Sequence, residues 1–408
     1  MAQQLFDINL RAALFAIALT FSTARAQTLT VLHTFTGVPD GREPVAGLTM
    51  DAAGNLYGTT YYGGTHESGL VYKLARQGAG WILRPLYSFT GGDDGAQPIG
   101  GVTIGSDGSL YGTTSVGGQH SAGVVYKLSP PATICKSFAC PWTETPLYQF
   151  TGGVDGGNPD AAPIFDSTGN LYGTAGTGGT GNNGVIYRLK PAQNGWIDSV
   201  LYSFTGKPDS SGPFSGLTFD GNGNLYGTTL FGGSGYGTVY QLTPSGSAWT
   251  EKVIYAFQGL NDGSTPYAGL VVDPDGNLYG SSFYFGRGNG GSIFELSPSS
   301  GSWIFTILYS PDVPEGGVAG TLARTSNGTL YGTLFSGSNE SCSGYGCGNV
   351  FQLSPSNGRW VYTSLYVFTD GADGGNPEGS LIFDTAGNLY GTTTGSLGGD
   401  GSVFELTP

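Results

Sequence analysis

Short apolar runs recur along the chain at a nearly regular interval, each bounded by Gly, Asp or Asn. The clearest is GNLYGTT at Gly54–Thr60, repeated letter for letter at Gly223–Thr229 and Gly387–Thr393. Near copies start at Gly108, Gly169, Gly276 and Gly328, so the motif tyrosines are Tyr57, Tyr111, Tyr172, Tyr226, Tyr279, Tyr331 and Tyr390. Each unit holds four strand-like runs. In the second unit they are Gly101–Ile104, Ser109–Thr114, Val124–Leu128 and Trp142–Gly152. The first two runs join through a turn with Gly before the motif's second residue. In five units an Asp stands three residues ahead of that Gly: Asp51, Asp166, Asp220, Asp273 and Asp384. Asp opening a type I turn, with Gly in the left-handed region, predicts a bulged hairpin, so these are turn residues. Leu and Tyr of the motif alternate between faces, and its second Gly leaves room for a neighbouring sheet. In the fourth run Trp81, Tyr87 and Phe89 share parity, which predicts one common face. Four other units repeat the spacing, with Trp142, Trp196, Trp249 and Trp360, and every Trp occupies the same slot. That placement reads as packing between sheets.

Four-stranded units repeated about every 50 residues predict propeller blades, with a linear solenoid as the alternative. The ends of the repeat decide between them. The segment Gln27–Gly37 reads as a fourth strand without its first three, and Ser402–Pro408 as a third strand without its fourth. A closed ring needs that complementarity, because it leaves no open edge. The prediction is an all-β, seven-bladed β-propeller of four-stranded antiparallel blades, closed by the N-terminal strand on the last blade. It forms one domain over 27–408. In the closing strand His33 and Phe35 take the Tyr and Phe slots, which makes His33 a packing residue.

Composition agrees. The chain has 408 residues with 74 Gly, 24 Tyr, 22 Phe and 6 Trp; so many aromatics argue against disorder. A formal net charge of −14 repels phosphate backbones and anionic lipid surfaces, so nucleic acid is excluded as an expected partner. Residues 1–26 read as an export signal: Arg11, an apolar core Ala12–Phe21 too short to span a bilayer, and the Ala24-Arg25-Ala26 cleavage pattern. No membrane span is expected in the mature chain, which is expected to be a monomer. The four Cys form two C-x4-C pairs, Cys135/Cys140 and Cys342/Cys347, inside the two longest repeats. Two local disulfides stapling loop insertions are expected, in keeping with an oxidising compartment; zinc is the alternative.

The frame FTGxxDGxxPxxGLxxDxxGNLYGTTxxGGxxxxGxVYxLxP resembles the bacterial Gloeo/Verruco, or GloVer, tandem repeat over essentially the whole mature chain. The resemblance implies exported or surface proteins, often with a C-terminal sorting anchor, and brings no catalytic residue. This sequence ends at Pro408 without an anchor tail, which favours a released or periplasmic protein.

Candidate chemistry falls on one loop face, where the fourth-to-first and second-to-third connections of a propeller meet. The first set carries an acid at a matched place: Asp40, Asp94, Asp155, Asp209, Asp262, Glu315 and Asp373. Such a ring would suit calcium, which takes oxygen ligands; the alternative is that each Asp bonds its own turn. The second set carries aromatic residues where the repeat breaks: Tyr61, Tyr62, Phe231, Tyr236, Phe283, Tyr284, Phe285 and Tyr345, with Arg287 beside them. Aromatic faces among hydroxyl-bonding groups suit a carbohydrate, unless they tuck between blades. The three His belong to no catalytic frame, and the Gly-Gly pairs precede no helix and cradle no phosphate. The expected function is a non-catalytic binding or scaffold module for an extracellular glycan or protein. The alternatives are a polysaccharide-active or calcium-dependent hydrolase or lyase using the acidic loops, and a purely structural envelope protein.

Overall fold

The computed structural model describes residues 27–407 except 79, 133–141, 247, 288, 313–316, 338–341, 343–345 and 396–398. The predicted signal segment, Cys135 and Cys140, Glu315 and Tyr345 lie outside the described residues. Among the described residues all regular structure is strand. Seven four-stranded antiparallel sheets form the blades of a propeller. In blade 1 the strands are Thr49–Met50, Leu56–Thr60, Leu70–Gln77 and Gly80–Ser88. Blades 2 to 6 repeat that order. Blade 7 takes Ile382–Phe383, Leu389–Thr393 and Ser402–Thr407 from the end of the chain and Thr28–Thr34 from its start. Thr28 pairs with Thr407 and Thr34 with Ser402. The ring is closed as the repeat predicts.

The motif does three jobs. Asp51 Oδ1 accepts the amides of Ala53 and Asn55, both at 2.9 Å, and Oδ2 accepts Asn55 Nδ2 at 2.7 Å and the Tyr57 hydroxyl at 3.0 Å. Gly54 closes the turn at φ 79°. Burial opposes ionisation of Asp51, but these bonds hold its carboxyl below the ordinary range. Asp166, Asp220, Asp273 and Asp384 are bound alike. The penultimate motif residue ties each blade to the next. Thr59 donates to Gly100 O at 3.0 Å, Thr113 to Ala161 O at 3.0 Å and Thr174 to Ser215 O at 2.9 Å. Thr228, Ser281 and Thr333 continue the belt, and Thr392 closes it on Ala46 O at 2.9 Å.

The second motif Gly works differently from expectation. A Cβ on Gly112 would overlap the Tyr126 hydroxyl of its own blade, not a neighbouring sheet. Gly112 and Tyr126 face each other across the second and third strands, so the ring lies over the bare glycine. Blades 5 to 7 place Phe294, Phe351 and Phe404 there, with the phantom Cβ 2.6 Å from the ring tip.

Parity in the fourth strand also misleads. Val71 pairs with Tyr87 while Tyr72 pairs with Pro85, leaving Leu86 as an extra residue. The same bulge recurs at Leu147, Leu201, Ile254, Leu308, Leu365 and Leu32. One inserted residue moves everything beyond it to the other face. Trp and Phe therefore point to opposite neighbours. Trp81 meets Tyr390 of the preceding blade, with ring centroids 6.2 Å apart, and Phe89 meets Tyr126 of the following blade at 5.1 Å. Each blade grips both flanking blades, and the core is seven such apolar seams. Cys342 and Cys347 are disulfide-bonded in the second-to-third loop of blade 6.

Candidate functional site

The two sets of loops do share one face. The loop entering each blade bridges to that blade's second-to-third loop, as in Arg42 to Tyr62, Ala96 to Val116, Gly157 to Thr177 and Ser264 to Tyr284.

Each described loop acid bonds its own turn. Asp94 Oδ2 accepts the Tyr87 hydroxyl at 3.0 Å and the Thr90 amide at 2.7 Å, and Oδ1 accepts the Thr90 hydroxyl. Asp155, Asp209 and Asp373 repeat this set, and Asp262 binds Tyr255 and two loop amides. At Asp40 His33 stands in for the tyrosine, Nε2 to Oδ2 2.9 Å, with its ring edge-on to Phe35. His33 is thus a packing residue. The tyrosine partner lies on the outermost strand, so it draws each acid to the rim of its own blade. Among the described residues no three His, Cys, Asp or Glu converge as metal ligands. Six of the seven acids, Asp40, Asp94, Asp155, Asp209, Asp262 and Asp373, are thus separate turn clamps.

The aromatic candidates divide. Tyr284 and Phe285 are 46% and 45% exposed, which removes them from the inter-blade core. Phe285 packs edge-on to Tyr236 at 5.8 Å, and Leu260 O accepts the amide of Gly286. Tyr236, Tyr284 and Phe285 make an exposed apolar ledge over blades 4 and 5, and Phe231 is exposed in the same blade 4 loop as Tyr236. Phe283 turns inward and meets Phe335 of blade 6 at 5.9 Å. Tyr61 and Tyr62 are half-buried and touch each other; Tyr61 donates to Gln97 Oε1, and Arg42 lies over the Tyr62 ring at 5.0 Å. Arg287 is exposed at the end of the ledge.

The axis holds a site that the motifs do not announce. Four residues before the first pairing residue of each innermost strand stand Val45, Ile99, Asp160, Phe214, Tyr267, Ala319 and Glu378. All seven line one axial cavity of about 330 Å³. Small residues below them, such as Ala46, Gly100, Ala161 and Gly379, keep the bore open. Asp160 and Glu378 project from blades 3 and 7. Burial raises Asp160 to about 6 against the Ser115 hydroxyl bond, and burial with Glu43 raises Glu378 to about 7. Tyr267 is 43% exposed at the mouth of the cavity, and desolvation by the surrounding walls, then both acids, push it up to about 12. Tyr61 is raised to about 12 as well, by burial first, and senses Asp160. The mouth thus combines apolar walls, aromatic rings and two acids that exchange protons near neutrality. The only trace of it in the sequence is a column of seven unlike residues inside an otherwise regular frame.

A search of curated proteins finds no match to the sequence. Among solved structures, a putative oxidoreductase (glucose dehydrogenase) from Thermus thermophilus aligns at 15% identity and TM-score 0.43, covering 93% of this chain and 100% of that one. A calcium structure of a Trichoderma reesei carbohydrate-active enzyme aligns at 14% and TM-score 0.44, covering 94% and 96%. A luciferin-regenerating enzyme aligns at 13% and TM-score 0.45, covering 94% and 95%. None of the three bears on what this chain binds. The sequence matches the Gloeobacter/Verrucomicrobia repeat over residues 18–146 and 140–344. With its repeat unit now seen as one blade of a closed ring, the chain belongs to the Gloeobacter/Verrucomicrobia repeat family.

Proposed function

We propose that this protein is an exported, non-catalytic binding module that seats an extracellular glycan on its loop face. One observation carries the reading. The sevenfold frame is largely kept in the belt, the turns and the seams, whereas the axial mouth and the ledge beside it gather unlike residues on one face. A fold role explains repetition, whereas a ligand of low symmetry requires unlike residues around it. Tyr267 and Phe214 offer flat faces for sugar rings, and Asp160 and Glu378 accept hydroxyls. The disulfide at Cys342–Cys347 fits an oxidising compartment. No helix of the described residues is long and apolar enough to cross a membrane.

The test is binding of the purified protein to a polysaccharide panel, with released sugar assayed in the supernatant. Binding without release supports the module. Released sugar replaces it with the hydrolase or lyase reading, which draws on the raised Glu378 carboxyl, the state a general acid needs. Absence of binding to every glycan leaves a protein scaffold.

A further inference from the structure

We propose that the axial mouth recognises a positively charged amino group, and that the glycan it takes is an amino-sugar polymer with free amines. This rests on the glycan-binding reading above and names its substrate class. Asp160 and Glu378 are set into a cavity walled by Val45, Ile99, Phe214 and Tyr267. Neither acid has a cationic partner among the described residues. Asp160 accepts the Ser115 hydroxyl and faces Tyr61 and Tyr267. Glu378 faces Glu43 and Tyr267. Arg42 and Asp400 share the adjoining cavity with Glu378. Arg42 is itself engaged, by Glu67 at 3.4 Å and by the Tyr62 ring. The remaining ion pairs of the described residues, such as Lys127–Asp107 and Arg324–Asp273, are made on the blades and away from the axis.

A carboxylate drawn out of water without a counter-ion is costly, and an opposite charge within reach relieves it. A ligand ammonium supplies that charge, and the Tyr267 ring adds cation–π attraction. An N-acetylated or neutral sugar supplies neither. Where the acid starts protonated, an ammonium binds as the carboxyl releases its proton to solvent, so charge balances across the step. Burial already sets both carboxyls where this exchange falls between pH 5 and 8.

The experiment titrates the purified protein with hexamers of glucosamine, N-acetylglucosamine and glucose by calorimetry. It uses pH 5.5 and 7.5 and two buffers of different ionisation enthalpy. The glucosamine hexamer is expected to bind at least about tenfold tighter than the other two, roughly one ion pair's worth. Proton release is expected at pH 5.5. Asp160→Asn and Glu378→Gln, both isosteric, should each remove most of that preference. Asp93→Asn, on the exposed rim, should not, which separates the site from general attraction to an acidic protein. Equal binding of the three hexamers, or a preference that survives both substitutions, overturns the amine proposal and leaves glycan binding standing. If no hexamer and no polysaccharide binds, the functional reading falls with it.

Discussion

Replacing Tyr126 by Phe should make the protein more stable. Tyr126 is wholly buried, and its hydroxyl has no hydrogen-bond partner. Burial, and behind it Glu144, pushes its ionisation far above the ordinary range. In the unfolded chain that hydroxyl is hydrated. Leaving such a group unpaired costs about 1–3 kcal/mol. Against this stands the void left by one oxygen, together with a few dispersion contacts of about 0.1–0.2 kcal/mol each. The fold accepts that void in blades 5, 6 and 7, where Phe294, Phe351 and Phe404 lie over the same glycine. The net gain is therefore about 1 kcal/mol. Tyr72, Tyr187 and Tyr240 share the geometry and the unpaired hydroxyl. They sit on separate blades, so the four gains should add to about 4 kcal/mol. The assay is denaturant unfolding of the single and quadruple variants. Tyr87→Phe is the control of opposite sign: its hydroxyl binds Asp94 at 3.0 Å, and losing a bond to a charged group costs about 1.5–3 kcal/mol. If Tyr126→Phe is destabilised as much as Tyr87→Phe, the hydroxyl has a partner and the reasoning is refuted.

Three further outcomes follow from the same geometry. Thr113→Val removes the belt bond and strands the buried Ala161 carbonyl; a loss of about 1–3 kcal/mol is expected in unfolding experiments, and a neutral result would mean the belt contributes nothing. Three seams hold a second acid beside a turn clamp: burial and then Asp94 raise Glu144 to about 8, burial and Asp209 raise Glu251 to about 7, and burial and Asp155 lead the causes raising Asp198 to about 6. A folded-state pKa above the unfolded value means the folded protein holds the proton more tightly, so stability is full below the ordinary carboxylate range and declines as pH rises toward 8. Melting temperatures at about pH 5 and pH 8 should show that decline, and Glu144→Gln should flatten it; an unchanged profile in the variant would assign the decline to other groups. Tyr284→Ala with Phe285→Ala should weaken glycan binding while melting stays within a degree or two, whereas a large drop in melting temperature would place these rings in the core after all.

What was legible in the sequence follows from what repeats. Turn chemistry at Asp51 and Gly54, the count of blades and the closure of Thr28–Thr34 on Ser402–Thr407 are written in local letters that recur. The bulge at Leu86 was hidden because an extra residue in a strand leaves no letter of its own; Leu is as ordinary in a paired position as in a bulged one. Parity counted straight through it and put Trp81 and Phe89 on one face. The loop acids looked like ligands because their matched spacing is visible, while the tyrosines that occupy them are only visible in three dimensions. The axial mouth was missed for the reverse reason. A search for pattern passes over a position whose seven residues differ, and Asp160 and Glu378 are 218 residues apart.

The closing strand also bears on how the molecule comes together. Blades 1 to 6 are each built from a continuous stretch of chain, so their contacts are short-range and can form as the polypeptide emerges. Blade 7 is different: Thr28 must find Thr407 across nearly the full length of the protein. The entropy of closing so long a loop grows only with the logarithm of its length, so the join is slow to find but not weak once made. Until then the outer edge of Ser402–Thr407 is an unpaired strand, the kind of edge that recruits a strand from another molecule. The same join that seals the ring sets its period of vulnerability: a chain held at high concentration before its two ends meet is exposed to strand exchange with its neighbours, and one that has closed is not.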